Sequence, residues 1–203
     1  MSKLTFVYGT MTSGKTTALL QEAHNFRMHG MHAHLITAAG DTRSGCGMIR
    51  SRIGISAEAE TFAPGDDLCQ HLTALHARTP IDAVFCDEAQ FLSRDQVWQL
   101  SDLVDDLGIP VNCFGLRSDF RGALFEGSAT LMALADVLTE NTGVCASGAK
   151  AMMVARLGPD GQAMTCGPQV MVGGEETYLA VSRAAWKERI RASLGAQTAV
   201  QTA

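Results

Sequence analysis

A chain of 203 residues with 46% hydrophobic and 18% charged side chains can build one packed core with a small appendage, which excludes disordered and fibrous architectures. A net charge of −5 lacks the basic footprint that binding to a nucleic-acid backbone requires, so no nucleic-acid partner is expected. No apolar run reaches the roughly 18 to 20 residues of a membrane span, and Met1-Ser2-Lys3 leads into a strand-like segment rather than a signal peptide, so no membrane contact and a cytoplasmic location are expected.

In chain order, the first strand is predicted at Leu4 to Tyr8, followed by a glycine loop and a helix from about Thr16 to Met28 whose apolar face is Ala18, Leu19, Ala23 and Phe26. A short strand, Ala33 to Thr37, follows the His29-Gly30 turn. The resulting βαβ unit favours a parallel sheet with a right-handed crossover. From Ala38 to Ile55 the sequence is polar, carries glycine and shows no clean period, which predicts a mobile loop. A helix at Asp67 to Ala77, a strand at Ala83 to Cys86, a helix at Arg94 to Leu107 stopped by Gly108 and Pro110, and a strand at Val111 to Leu116 continue the alternation. Six scattered cysteines, two of them in these apolar strands, read as reduced thiols.

Residues 1–140 therefore form an α/β core. Beyond Asn141 glycines accumulate, and strand candidates Ala151 to Leu157 and Gln169 to Val172 flank the turn Gly158-Pro159-Asp160-Gly161. They predict a small β-ribbon over 141–181. A last helix at 182–194, packing on the core, precedes a polar tail at 195–203 that is expected to be disordered. The basic stretch Trp186 to Arg191 has Glu188 interleaved and reads as a solvated helix face.

Gly9-Thr10-Met11-Thr12-Ser13-Gly14-Lys15-Thr16 matches the P-loop pattern in full, between a strand and a helix. Its backbone amides and the helix N-terminus suit the phosphates of a nucleoside triphosphate such as ATP, with Lys15 on the outer phosphates and Thr16 on magnesium. Asp87 ends the apolar strand, where a second carboxylate meets that magnesium. Glu88 follows, placed to take a proton from an attacking hydroxyl or water. Asp87-Glu88-Ala89-Gln90 also resembles the ATP site of helicases, but a helicase needs a second motor domain and a basic strand groove.

Together these segments resemble type II thymidine kinases from Leu4 to Arg191. The shared features are the P-loop, Asp41-Thr42-Arg43, Asp87-Glu88-Ala89-Gln90-Phe91, Gly115-Leu116-Arg117-Ser118-Asp119-Phe120-Arg121-Gly122 with Phe125, and Gly173-Gly174-Glu175-Glu176-Thr177-Tyr178. The resemblance implies a P-loop NTPase-like sheet flanked by helices with a C-terminal ribbon, or lasso, and phosphorylation of the thymidine 5′-hydroxyl by ATP and magnesium. It implies nucleotide binding by Gly9 to Thr16 and Asp87 to Gln90, with Glu88 as the catalytic base. Met11, Phe91, Leu116, Phe120, Phe125 and Tyr178 would wall a thymine slot, main-chain groups of Met171, Val172 and Gly173 would read its polar edge, and Asp41 would meet the 3′-hydroxyl.

The resemblance further makes Arg43 and Arg156 candidates to steady phosphate charge, and implies a homotetramer inhibited by thymidine triphosphate. Arg117, Asp119 and Arg121 read at least as well as a local ion pair. The family's structural zinc is not expected, because the corresponding positions, Cys145-Ala146-Ser147 and Ser182-Arg183-Ala184-Ala185, leave Cys145 as the only thiol. An ATPase that activates water through Glu88, and a sensor without turnover, are the alternative readings.

Overall fold

The computed structural model describes residues 2–40, 47–170 and 178–201. The chain divides into two compact units. The first comprises residues up to Tyr8, Gly14–Arg117 and Phe125–Asn141; the second comprises Gly9–Ser13, Ser118–Leu124 and the chain from Thr142 onward.

The first unit contains, in order, β1 (Leu4–Gly9, whose last residue opens the second unit), α1 (Lys15–Met28), β2 (Ala33–Ala38), β3 (Met48–Arg50), β4 (Ser56–Glu58), β5 (Glu60–Phe62), α2 (Leu68–Arg78), β6 (Ala83–Asp87), α3 (Arg94–Leu107), β7 (Val111–Leu116), α4 (Glu126–Leu134) and β8 (Val137–Glu140). Six strands form a parallel sheet in the order β5-β2-β6-β7-β1-β8, so the expected α/β architecture holds. Central strand β6 is covered on both faces, and for that reason its apolar run is unbroken instead of alternating. Val84 and Cys86 face Leu72, Leu100, Leu103 and Leu131 of α2, α3 and α4. Ala83 and Phe85 face Leu19, Leu20 and Ala23 of α1.

Local chemistry sets the helix ends. Asp67 accepts the backbone N–H of Gln70 at the start of α2, Ser93 and Gln96 form a reciprocal capping box on α3, and Gly108 ends α3 at φ 68°.

The expected loop at Ala38 to Ile55 contains structure. Beyond Gly47, β3 pairs antiparallel with β4, with Ile49 opposite Ala57 and buried. Three-residue strands are too short to show a period. The three residues of β5 and the four of β8, at the two edges of the sheet, are likewise too few for a sequence reading.

The second unit contains β9 (Gly143–Val144), β10 (Lys150–Ala151), β11 (Met153–Arg156), β12 (Tyr178–Val181) and α5 (Arg183–Gln201). The ribbon exists, and β12 is the described partner of its first strand; of the expected strand Gln169 to Val172, residues 171 and 172 lie outside the described residues. β11 pairs antiparallel with β12, Arg156 opposite Tyr178 and Met153 opposite Val181. The Gly158–Gly161 turn does form, and it closes only a single bridge between Leu157 and Ala163. A local turn signal cannot choose a partner that lies beyond it in sequence. Helix α5 packs on β11, starts at the hydroxyl of Ser182, which accepts the N–H of Ala185, and continues to Gln201 through the segment expected to be a disordered tail. The alanines there are strong helix formers. No described helix is long and apolar enough to cross a membrane.

Candidate active site

Strand β1 ends at Gly9, and α1 begins at Lys15. Between them Thr12 and Gly14 take positive φ values of 64° and 87°, the reversals that turn successive amides to one side of a phosphate loop. No side chain caps α1, so its first-turn amides are not engaged by a capping residue. Within the second unit the loop rests against bare backbone: a Cβ on Gly143 would come within 3.3 Å of Thr10 Oγ1 and 3.4 Å of Ser13.

In the first unit the P-loop helix meets the end of β6. The Thr16 hydroxyl donates to the Asp87 carboxylate, and the charge of Lys15 lies close by. Burial pushes the Asp87 carboxyl up from 3.8 to about 7; the negative charge of Glu88 adds to the rise, and the hydrogen bonds from Glu88 N–H and Thr16, with Lys15, oppose it. The carboxylate and the Thr16 hydroxyl are oxygen donors suited to magnesium carried by a nucleotide, and the Lys15 ammonium suits that nucleotide's phosphates.

Glu88 occupies the left-handed region at φ 52°, ψ 37°, which a residue with a Cβ adopts only when its surroundings impose it. Those surroundings are visible. Gln90 donates from Nε2 to Glu88 Oε2, and its Oε1 accepts the N–H of Leu116 at 2.9 Å. A Cβ on Gly115 would lie 2.8 Å from that Oε1, so only glycine admits the clamp. Ala89 and Gln90, assigned from sequence to ATP binding, are interior side chains; Gln90 orients Glu88, a role that spacing alone does not signal.

Among the residues assigned to the thymine slot, Phe91 and Phe125 pack edge to face at 6.1 Å in the first unit. Leu116, also there, accepts the Ser128 hydroxyl at its carbonyl. Met11, Phe120 and Tyr178 belong to the second unit. Asp41, Arg43, Met171, Val172 and Gly173 lie outside the described residues.

Asp119 accepts from the backbone of Arg121 and Ala123 and binds the Arg121 guanidinium at 2.8 and 2.9 Å, so this pair is the local one that the sequence allowed. Arg156, the candidate to steady phosphate charge, is fully buried. Its guanidinium is enclosed in the ribbon, stacked on Phe120.

The family's zinc positions hold a hydrogen-bonded turn. Cys145 Sγ lies 3.1 Å from Ser147 Oγ, and the N–H of Gly148 donates to the Cys145 carbonyl. The Ser147 hydroxyl, followed by the backbone N–H groups of Ser147, Ser182 and Ala149, lowers the Cys145 pKa from its ordinary value. The Ser182 hydroxyl caps α5. One thiol, two hydroxyls and the methyl of Ala185 do not fit a closed zinc site.

Comparison with known proteins decides the family. The thymidine kinase family model matches residues 2–186. The chain belongs to the thymidine kinase family. A thymidine kinase of Ruegeria pomeroyi is 53% identical over 188 residues, 93% of this chain and 95% of that protein. One of Xanthomonas campestris is 50% identical over 94% of this chain and 92% of its own. A third, of Agrobacterium fabrum, is 47% identical over 95% of this chain and 100% of its own length. Within this family the buried Asp87 beside Thr16 and the clamped Glu88 stand on a chain that matches its relatives over almost their whole length.

Proposed function

We propose that the chain transfers the γ-phosphoryl group of ATP to the 5′-hydroxyl of thymidine, giving thymidine monophosphate for DNA precursor synthesis. The observation that carries this reading is the P-loop helix delivering Lys15 and Thr16 to the buried Asp87, with Glu88 held next to it in a left-handed backbone. Thr16 and Asp87 would hold magnesium, which neutralises charge on the transferring phosphates when bound. Lys15 places a point charge on the outer phosphates. Glu88 accepts the proton of the 5′-hydroxyl as the new O–P bond forms and the bond to the β–γ bridging oxygen breaks, releasing ADP. Gln90 keeps the Glu88 carboxylate in one orientation, and preorganisation of this kind is where most of the catalysis is expected to arise.

The same reading assigns the base to Met11, Phe91, Leu116, Phe120, Phe125 and Tyr178, its polar edge to the main chain of 171–173, and the 3′-hydroxyl to Asp41. It includes a cytoplasmic homotetramer, feedback inhibition by thymidine triphosphate, and a ribbon without structural zinc. Product analysis with γ-labelled ATP tests the reaction. Labelled thymidine monophosphate formed only with thymidine supports it; free phosphate released without acceptor marks an ATPase, and ATP binding without turnover marks a sensor.

A further inference from the structure

Arg156 on β11 is completely buried, the largest such side chain among the described residues. Its guanidinium carbon lies 3.7 Å from the centroid of the Phe120 ring. Nη1 donates to the Pro168 carbonyl at 2.7 Å and Nη2 to the Cys166 carbonyl at 3.3 Å. Between those carbonyls sits Gly167, at φ +119°, where a Cβ would come 2.6 Å from Nη2. The turn is moulded on the guanidinium, and no other residue fits at its apex.

Among the described residues no carboxylate pairs with this cation, and its Nε has no hydrogen-bond partner. Burying a guanidinium is costly, and a hydrophobic residue of similar volume commonly serves packing equally well or better. The charge is therefore retained for what it holds. On one face that is the ring of Phe120, itself 1% exposed, through a cation–π contact that is strong when desolvated. At its edge that is the strap Cys166–Pro168. Next to the strap, Gln169 Nε2 donates to Asp119 Oδ2 at 3.2 Å, and from α5 Trp186 Nε1 donates to the Phe120 carbonyl at 3.0 Å. Across the ribbon, the register partner of Arg156 is Tyr178.

We propose that Arg156 is a positioning residue for nucleoside recognition: it sets the plane of Phe120 and locks the 166–168 strap to the 118–124 turn, so that thymidine affinity depends on it while ATP use and the chemical step do not. The inference rests on the proposed thymidine kinase activity, in which Phe120 and Tyr178 face the base.

The experiment measures steady-state kinetics of full-length Arg156→Lys, Arg156→Met and Gly167→Ala, with thymidine and ATP varied separately and melting followed in parallel. Lysine keeps the charge but not the planar fork; methionine removes the charge; alanine at 167 pushes the guanidinium out of its cradle. Each variant is expected to raise the KM for thymidine about tenfold or more, with kcat and the KM for ATP within about threefold of wild type. Arg156→Met is expected to melt no lower than wild type. An unchanged KM for thymidine, an equal rise in both KM values, or a loss confined to kcat overturns the proposal. Failure of all three variants to fold assigns Arg156 to stability and overturns it too. Absence of thymidine phosphorylation by the wild-type protein would instead refute the activity on which the inference rests.

Discussion

Replacing Asp87 by asparagine should abolish turnover and at the same time make the nucleotide-free protein more stable at alkaline pH. In the folded chain the Asp87 carboxyl titrates at about 7 because burial, and then the charge of Glu88, disfavour its ionised form; in the unfolded chain it titrates near 3.8. The folded state thus binds the proton more tightly. Stability is unaffected below the unfolded pKa, declines as pH rises from about 4 towards 7, and is flat above it. At about 1.4 kcal/mol per pH unit of displacement the loss at pH 8 has an upper bound of ~4 kcal/mol, and at pH 5 less than about half of that. Asparagine removes the titration and keeps a carbonyl to accept from Thr16 and from Glu88 N–H. Its new amide hydrogens need an acceptor, which costs about 1 kcal/mol where none is found.

The net expectation is a gain of about 1 to 3 kcal/mol at pH 8 that shrinks at pH 5. Urea denaturation of both proteins at the two pH values, without nucleotide or magnesium, measures it. Magnesium with ATP should then stabilise wild type and leave the variant nearly unmoved. An asparagine variant less stable than wild type at pH 8, or a difference that ignores pH, would refute the assignment of Asp87 as a buried, strained carboxylate.

Lys15→Ala is expected to cripple use of ATP while thymidine binding changes little, since a point charge on the outer phosphates is lost; near-normal turnover with ATP varied contradicts it. Glu88→Gln should retain the fold and both ligands but lose about 10² to 10⁴ in kcat, which a turnover assay beside a thermal-shift binding assay separates. Gly115→Ala drives a Cβ to 2.8 Å from Gln90 Oε1, so it should release Glu88 and lower kcat by about 10-fold or more at a stability cost of about 1 to 3 kcal/mol; an unaltered kcat would mean that the Gln90 clamp is dispensable. Purified, untagged protein should contain almost no zinc, whereas one zinc per chain that survives dialysis against a chelator would show that other ligands complete a site around Cys145.

Much of the site was legible because its signals are local. The P-loop is eight consecutive residues, Asp87 closes an apolar run, and Ser93, Gln96 and Gly108 mark the ends of one helix by chemistry that acts within a turn or two. The same logic failed where contacts are remote. Three-residue β3 and β4 carry no period of their own, and the turn at 158–161 gave no sign that β11 pairs with β12, more than twenty residues on.

By itself, then, the sequence determined the nucleotide-binding chemistry and the α/β alternation, since each depends on residue type at short spacing. Only the tertiary structure decided that Gln90 ties Glu88 to the backbone of Leu116, that Arg156 lies inside the ribbon with a glycine turn folded round it, and that Asp87 carries an ionisation displaced to about 7. Those properties come from burial and from partners tens of residues away. A hydrogen bond such as Gln90 to Leu116, or a desolvated charge such as Arg156, has no spacing to be read until the sheet and ribbon have brought its neighbours together.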